Sequence, residues 1–397
     1  MSIRHPRTIG RRVAVLAILA AATAVVAEAR KPAGTIQTGA QATSALPRAA
    51  ERPRIDVVFV LDTTGSMSGL IEGAKERIWS LTSSMADGQP SPRIRVGLLG
   101  YRDRGDDYVT RSYDLTDDID AVYQHLSAFR TGGGGDGPES VNQALHEAVA
   151  RMSWDPGQEV YKVLFLVGDA PPHMDYQDDV PYEKTAEIAR SRGIAINTIQ
   201  CGSMAGTAVV WRDIARRGSG EFAAIEQNGG MVALATPMDA PLAELSRELV
   251  DTVVAYGDRT SVSEIERKII AAKAASPAVA ASRLGYLSKQ GGRANSGRRD
   301  LIDAVKDGLV SADEIDDADL PAAMRGFDAR EKKAYVQRKL EARAQIQARI
   351  DELSRQRDAH LRAGRKRRAE AGEAGGFDSR VMETIEKQAA GYGIHYE

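Results

Sequence analysis

The polarity pattern of the chain changes period several times, and those changes mark out its elements. Ile55 to Leu61 (IDVVFVL) is an apolar, β-branched run interrupted only by Asp56, as in a strand buried on both faces of a parallel sheet. Ile94 to Leu99, Val160 to Val167 and Ile194 to Ile199 repeat it. Between and after them lie amphipathic stretches of helical length, Leu70 to Met85, Ile119 to Phe129, Val141 to Met152, Glu183 to Arg192 and Leu242 to Tyr256. Strands alternating with helices predict a layered α/β domain over residues 54–257, with Leu242 to Tyr256 as its last helix.

The pattern differs at both ends. Arg4, Arg7, Arg11 and Arg12 precede an uncharged run from Val13 to Ala27, followed by the small-residue site Ala27-Glu28-Ala29. This order predicts a signal peptide over residues 1–29 and export to the periplasm or the outside. As a helix the run would reach about 22 Å, short of a ~30 Å hydrocarbon core, so no integral membrane anchor is expected after cleavage. Residues 30–53 are Ala, Thr, Gln, Gly and Pro without periodicity, a flexible leader. At the other end, Glu331 to Ala363 has neither Gly nor Pro and is dense in helix formers. Leu340, Ile346, Ile350, Leu353 and Leu361 make its apolar stripe, but Arg357 and His360 occupy the next seam positions. Residues 258–397 are therefore expected to be a helical extension, either a short coiled coil joining copies of the chain or a hairpin packed on the domain.

Charge sharpens this division. Residues 54–257 carry 18 Lys and Arg against 30 Asp and Glu, whereas 258–397 carry 27 against 23, so an acidic domain precedes a mildly basic extension. The whole chain of 397 residues has a net charge of −2 and 43% hydrophobic residues, which excludes a wholly disordered chain and argues against a nucleic-acid partner. One cysteine, Cys201, excludes an internal disulfide framework, a cysteine zinc ribbon and a CxxC redox pair. The basic cluster Arg365 to Arg368 reads as a solvated helix end.

The candidate chemistry stands at the ends of the predicted strands. Asp62-Thr63-Thr64-Gly65-Ser66 follows the first strand, placing an acid and two hydroxyls, Thr64 and Ser66, on one loop. Asp169 follows the strand Val160 to Val167. Between them in sequence runs Thr131-Gly132-Gly133-Gly134-Gly135-Asp136-Gly137-Pro138-Glu139, a loop with the freedom to approach both. In an open parallel sheet the ligand crevice lies at the carboxyl ends of the strands, so the three loops can converge there. Hydroxyl and carboxylate oxygens in this mixture suit a small hard cation such as Mg²⁺, Mn²⁺ or Ca²⁺. Gly132-x-Gly134-x-x-Gly137 has the letters of a dinucleotide fingerprint but follows an amphipathic stretch instead of a strand, and no GxxxxGK[ST] phosphate loop occurs. His173 reads as a surface-loop residue, and Trp79, Trp154 and Trp211 as packing.

VFVLDTTGSM and the Val-Gly-Asp169-Ala segment resemble the von Willebrand factor A domain and its metal-ion-dependent adhesion site, whose first loop reads DxSxS. The TGGGGDGPES loop is similar to the second loop of A domains in bacterial secreted proteins and in the alpha-kinase-linked group. The resemblance implies a doubly wound, Rossmann-like sheet and a metal site of Asp62, Thr64, Ser66 and Asp169. Asp136 is expected to take the place of the second-loop Thr, with Glu139 and Thr131 as rivals. It further implies an adhesion or scaffold module at the cell envelope whose Mg²⁺ binds an acidic residue of a protein partner, without catalysis. Two other readings stand beside it. Asp62-Thr63-Thr64-Gly65-Ser66 is also similar to the aspartyl-phosphate loop of P-type ATPases, which would make Asp62 the nucleophile of a Mg²⁺-dependent phosphatase-like enzyme. Alternatively the domain is a structural platform, and the helical extension does the binding.

Overall fold

Four of the strands form where the apolar runs stand, and two more, lacking such runs, extend the sheet at its edges. The computed structural model describes residues 52–396 apart from 136, 232, 233, 298, 373 and 374. The signal peptide and nearly all of the leader lie outside these residues. The sheet order is β3-β2-β1-β4-β5-β6, comprising β1 (Arg54–Asp62), β2 (Arg93–Tyr101), β3 (Thr110–Thr116), β4 (Tyr161–Gly168), β5 (Ile194–Cys201) and β6 (Ser219–Ile225). All neighbours are parallel except β2 and β3. As edge strands, β3 and β6 keep polar, partly exposed residues, so their sequences carry no continuous apolar signal.

Side chains of β1 alternate between two layers. Ile55, Val57, Phe59 and Leu61 enter one core, and Val58 and Val60 the other. The second core is closed by α3 (Val141–Arg151), α4 (Tyr182–Ser191) and α5 (Thr207–Arg217). The first is closed by α1 (Ser68–Met85) and α2 (Ile119–Ala128), and also by two helices from far along the chain, α8 (Pro277–Lys289) and α11 (Phe377–Ala389). The Phe377 ring stands 5.9 Å from that of Phe59. The Gln388 side chain accepts from the Tyr161 hydroxyl (2.9 Å) and donates to Asn197 (2.9 Å). A boundary at residue 257 therefore divides a single shared core, and the helices beyond it belong to the same compact unit as the sheet.

The remaining helices, α6 (Asp239–Val250), α7 (Arg259–Ala274), α9 (Leu301–Lys306) and the 42-residue α10 (Ala329–Glu370), are joined by smaller cores and buried ion pairs. Ile346, Ile350 and Leu353 of α10 pack with α6 and α8, so this part of its stripe is used within the chain. Arg357, the residue that interrupts the stripe, is buried and paired with Asp239 (2.7 Å), and Arg343 pairs with Asp300 (2.8 Å) and Asp303 (2.6 Å). Arg283 on α8 bonds Asp120 on α2 (2.7 Å), both buried, fastening the late helices to the early ones. Among the described residues no helix is long and apolar enough to cross a membrane.

Because Phe377 is 3% exposed and fills the core over Phe59, Phe377→Ala should cost about 3–5 kcal/mol, the usual range for emptying a buried aromatic site. Urea unfolding of the two proteins measures it.

Candidate metal centre

β1 delivers its last residue, Asp62, to the carboxyl edge of the sheet with no solvent exposure. The chain is held there because Thr63 donates both its N–H (2.8 Å) and its hydroxyl (2.9 Å) to the Tyr101 carbonyl at the end of β2. It then enters a 3-10 turn, Gly65–Met67, that leads into α1. Within this turn the Thr64 N–H (2.8 Å) and hydroxyl (2.6 Å) both donate to Asp62 Oδ1. The Thr64 and Ser66 oxygens are 3.2 Å apart, and since the Thr64 proton goes to Asp62, Ser66 is the donor between them.

Asp169 reaches the same point because Gly168 has no side chain. A Cβ there would stand 3.0 Å from the Cβ of Asp62 and would strike the Tyr101 hydroxyl. On Asp169 the outer oxygen, Oδ2, accepts from the Gln227 amide (2.7 Å). Glu139 arrives from the second loop through a one-residue parallel bridge to Pro172. Its N–H donates to the Pro171 carbonyl (2.9 Å), and its own carbonyl accepts from the His173 N–H (3.0 Å). Glu139 is 4% exposed, and Oε2 has no hydrogen-bond partner; Asp62 Oδ2 is in the same condition.

The structure thus gathers Asp62, Thr64, Ser66, Glu139 and Asp169 at one edge. Thr131 stands half-buried at the start of the glycine run, where the Gly132 N–H donates to the Thr63 carbonyl (3.2 Å). Asp136 lies outside the described residues. Among the described residues no three Asp, Glu, His or Cys side chains close into a cluster able to hold a metal ion; the oxygens that gather at this edge are those of hydroxyls and carboxylates together. That set fits a hard divalent cation: two adjacent hydroxyls, a buried acid on the same loop, and two buried carboxylate oxygens without protein donors.

The electrostatics reflect the crowding. Burial pushes the Asp62 carboxyl up to about 7, against the two hydrogen bonds from Thr64 and with the help of the Asp169 charge. Glu139 is pushed up to about 9, first by burial and then by the charges of Asp62, Asp103, Asp106 and Asp169. Burial, and after it the charges of Asp62, Glu139 and Asp169, hold the Tyr101 phenol well above its ordinary range.

Several contributors leave no local trace in the sequence. Arg102 is buried and donates from Nε to the Thr63 carbonyl (3.2 Å) and from Nη2 to the Arg130 carbonyl. Asp103 accepts from the Ser140 hydroxyl (2.8 Å) and from the Tyr176 hydroxyl (2.9 Å). His173, expected on the surface, is 8% exposed, stacked on Tyr176 at 4.2 Å and 2.8 Å from Asp175. The charged run Arg102 to Asp107 would pass for a solvated loop, and nothing near Gln227 singles it out.

A doubly wound sheet with hydroxyls and carboxylates gathered at the carboxyl ends of its central strands defines the class. Residues 56–230 match the von Willebrand factor type A domain, and the chain carries such a domain there. Alpha-protein kinase vwkA of Dictyostelium discoideum is 28% identical over 129 residues, 30% of this chain and 19% of that protein. Among solved structures, proximal thread matrix protein 1 from the mussel byssus aligns at 16% identity, covering 45% of this chain and 43% of that one, with a TM-score of 0.35. The same protein with a zinc-occupied MIDAS motif aligns at 17% identity over the same shares, with a TM-score of 0.35. The chain spans less than half the length of each of these proteins.

The raised acids fix a pH dependence for the cation-free protein. A carboxyl that is raised on folding holds its proton longer in the folded state, so stability falls as pH rises from its unfolded value to its folded one. The loss runs from 3.8 to about 7 for Asp62 and from 4.5 to about 9 for Glu139. In chelator, the melting temperature should therefore decline across this interval, and Glu139→Gln should remove the part of the decline above pH 7. Thermal melts at stepped pH check both.

Proposed function

We propose that this chain is an exported, divalent-cation-dependent protein-binding module, an adhesion or scaffold component of the cell envelope. In this reading Asp62, Thr64, Ser66 and Asp169 hold Mg²⁺ or a similar ion, with Glu139 supplying the second-loop oxygen. The observation that carries it is the pair of buried, unpartnered oxygens, Asp62 Oδ2 and Glu139 Oε2, beside two hydroxyls at the edge where this fold binds ligands. Export rests on the arginine-led apolar run before Ala29.

When bound, the ion supplies a Lewis-acidic point able to take a carboxylate oxygen from an acidic residue of a protein partner. The chain's residues set that point up. Thr64 orients Asp62 by donating twice to Oδ1, which leaves Oδ2 for the ion. Thr64 and Ser66 add oxygen without charge, so the site is less negative than an all-carboxylate cage. Gln227 holds Asp169 through Oδ2. The A domain is generally a binding module. The helices beyond residue 257 would add contacts with a partner or with a second copy of the chain.

Titration calorimetry of Mg²⁺, Mn²⁺ and Ca²⁺ into the full chain tests the reading. One ion should bind, and Asp62→Ala should weaken it by more than the 10–100-fold that loss of an outer-shell partner costs. A wild-type protein that takes up no ion at millimolar metal overturns the proposal and leaves the domain as a structural platform.

A further inference from the structure

The loop between β2 and β3 grips the second metal loop on both sides of Glu139. Downstream, the Ser140 N–H donates to the Arg102 carbonyl (3.2 Å), and the Ser140 hydroxyl donates to Asp103 Oδ1 (2.8 Å). Upstream, the Gly134 N–H donates to Asp106 Oδ2 (3.2 Å). The same Asp106 oxygen accepts from the Asp103 N–H (3.3 Å), and the Asp106 N–H donates to the Asp103 carbonyl (3.3 Å), so the two acids belong to one tight turn.

The glycines are shaped to this grip. Gly133 and Gly134 have φ of +76° and +84°, which side chains other than glycine rarely adopt, and a Cβ on Gly133 would overlap the Asp106 carboxylate. A Cβ on Gly134 would stand 3.5 Å from the Cβ of Thr64, 3.8 Å from its methyl and 3.7 Å from Glu139 Oε1, so this residue lies between the Thr64 side chain of the first loop and the second-loop acid. The Gly133 carbonyl in turn accepts from the Gly65 N–H (3.4 Å). A run of four glycines has the largest conformational freedom of any loop, and without an anchor it would lose much entropy each time it settled over an ion.

We propose that Asp106 is a positioning residue of the metal centre: its hydrogen bond to the Gly134 N–H fixes the glycine loop and so sets the distance between Glu139 and the first-loop hydroxyls. The inference rests on the metal-binding reading of the site. Asp106 does not hold the ion; it acts through the backbone of the loop that carries a ligand.

Titration calorimetry of Mg²⁺ into the full chain, with Asp106→Ala, Asp106→Asn and Asp62→Ala beside it, tests this together with thermal melts in chelator. Asp106→Ala should bind Mg²⁺ about tenfold or more weakly, as loss of an outer-shell support does, while its chelator melting temperature stays near that of the wild type. Asp106→Asn keeps an acceptor oxygen for Gly134 but not the charge, and should recover most of the affinity. If Asp106→Asn is as weak as Asp106→Ala, the carboxylate acts by its charge and the positioning role is overturned. Unchanged affinity in Asp106→Ala, with Asp62→Ala deficient, overturns the role while leaving the metal site standing. A wild-type protein that binds no Mg²⁺ overturns the site itself and the inference with it.

Discussion

Three acids brought out of water at one edge of a sheet repel one another, and the surrounding loops must hold them there against that repulsion. Asp62 has no solvent exposure, Glu139 4% and Asp169 6%. The interior solvates charge poorly, so the folded chain carries this strain unless a proton or a cation relieves it. The local structure is organised accordingly. Thr63 pins the end of β1 to β2, Gly168 lets β4 come close enough to set Asp169 beside Asp62, and the Glu139–Pro172 bridge stitches the second loop to the third. The Thr63 N–H bond and the Glu139–Pro172 bridge are made by backbone, so substituting the acids' side chains leaves them intact.

The sequence made the central strands and the first loop readable because burial on both faces and a three-residue run of oxygens are local signals. Asp62, Thr64 and Ser66 lie within one turn, and their mutual hydrogen bonds follow from that spacing. The sequence leaves Asp136, Glu139 and Thr131 open, since what reaches the edge depends on a parallel bridge between segments separated in the chain. Arg102, Asp103, Asp106 and Gln227 could not be found from local pattern at all. Their roles come from long-range contacts, and their neighbours in sequence are charged or polar residues of the kind that loops usually leave in water.

The segment after residue 257 was legible as helix and illegible as packing. Propensity gives α10 its length, but an interrupted apolar stripe says little about where a helix docks. Arg357 interrupts the stripe because it is buried beside Asp239, and Arg343 is held by Asp300 and Asp303. Paired charges of this kind fix one alignment of the helix on its neighbours, because a shift of one turn would strand an arginine in the interior. The apolar face of α11 has the same ambiguity in sequence. Only the sheet, with Phe59 and Phe165 stacked at 5.7 Å below Phe377, shows what it covers.

The return of the late chain to the first-made layer also orders the life of the molecule in time. The Tyr396 hydroxyl donates to the Met85 carbonyl across 311 residues of chain, and the part of the β1 face at Phe59 receives its Phe377 cover only when α11 has been synthesised. A nascent chain holding the whole sheet still exposes the apolar surface that α8 and α11 come to cover, and exposed surface of this kind is what chaperones bind. Closure of that core is thereby tied to the arrival of a distant segment.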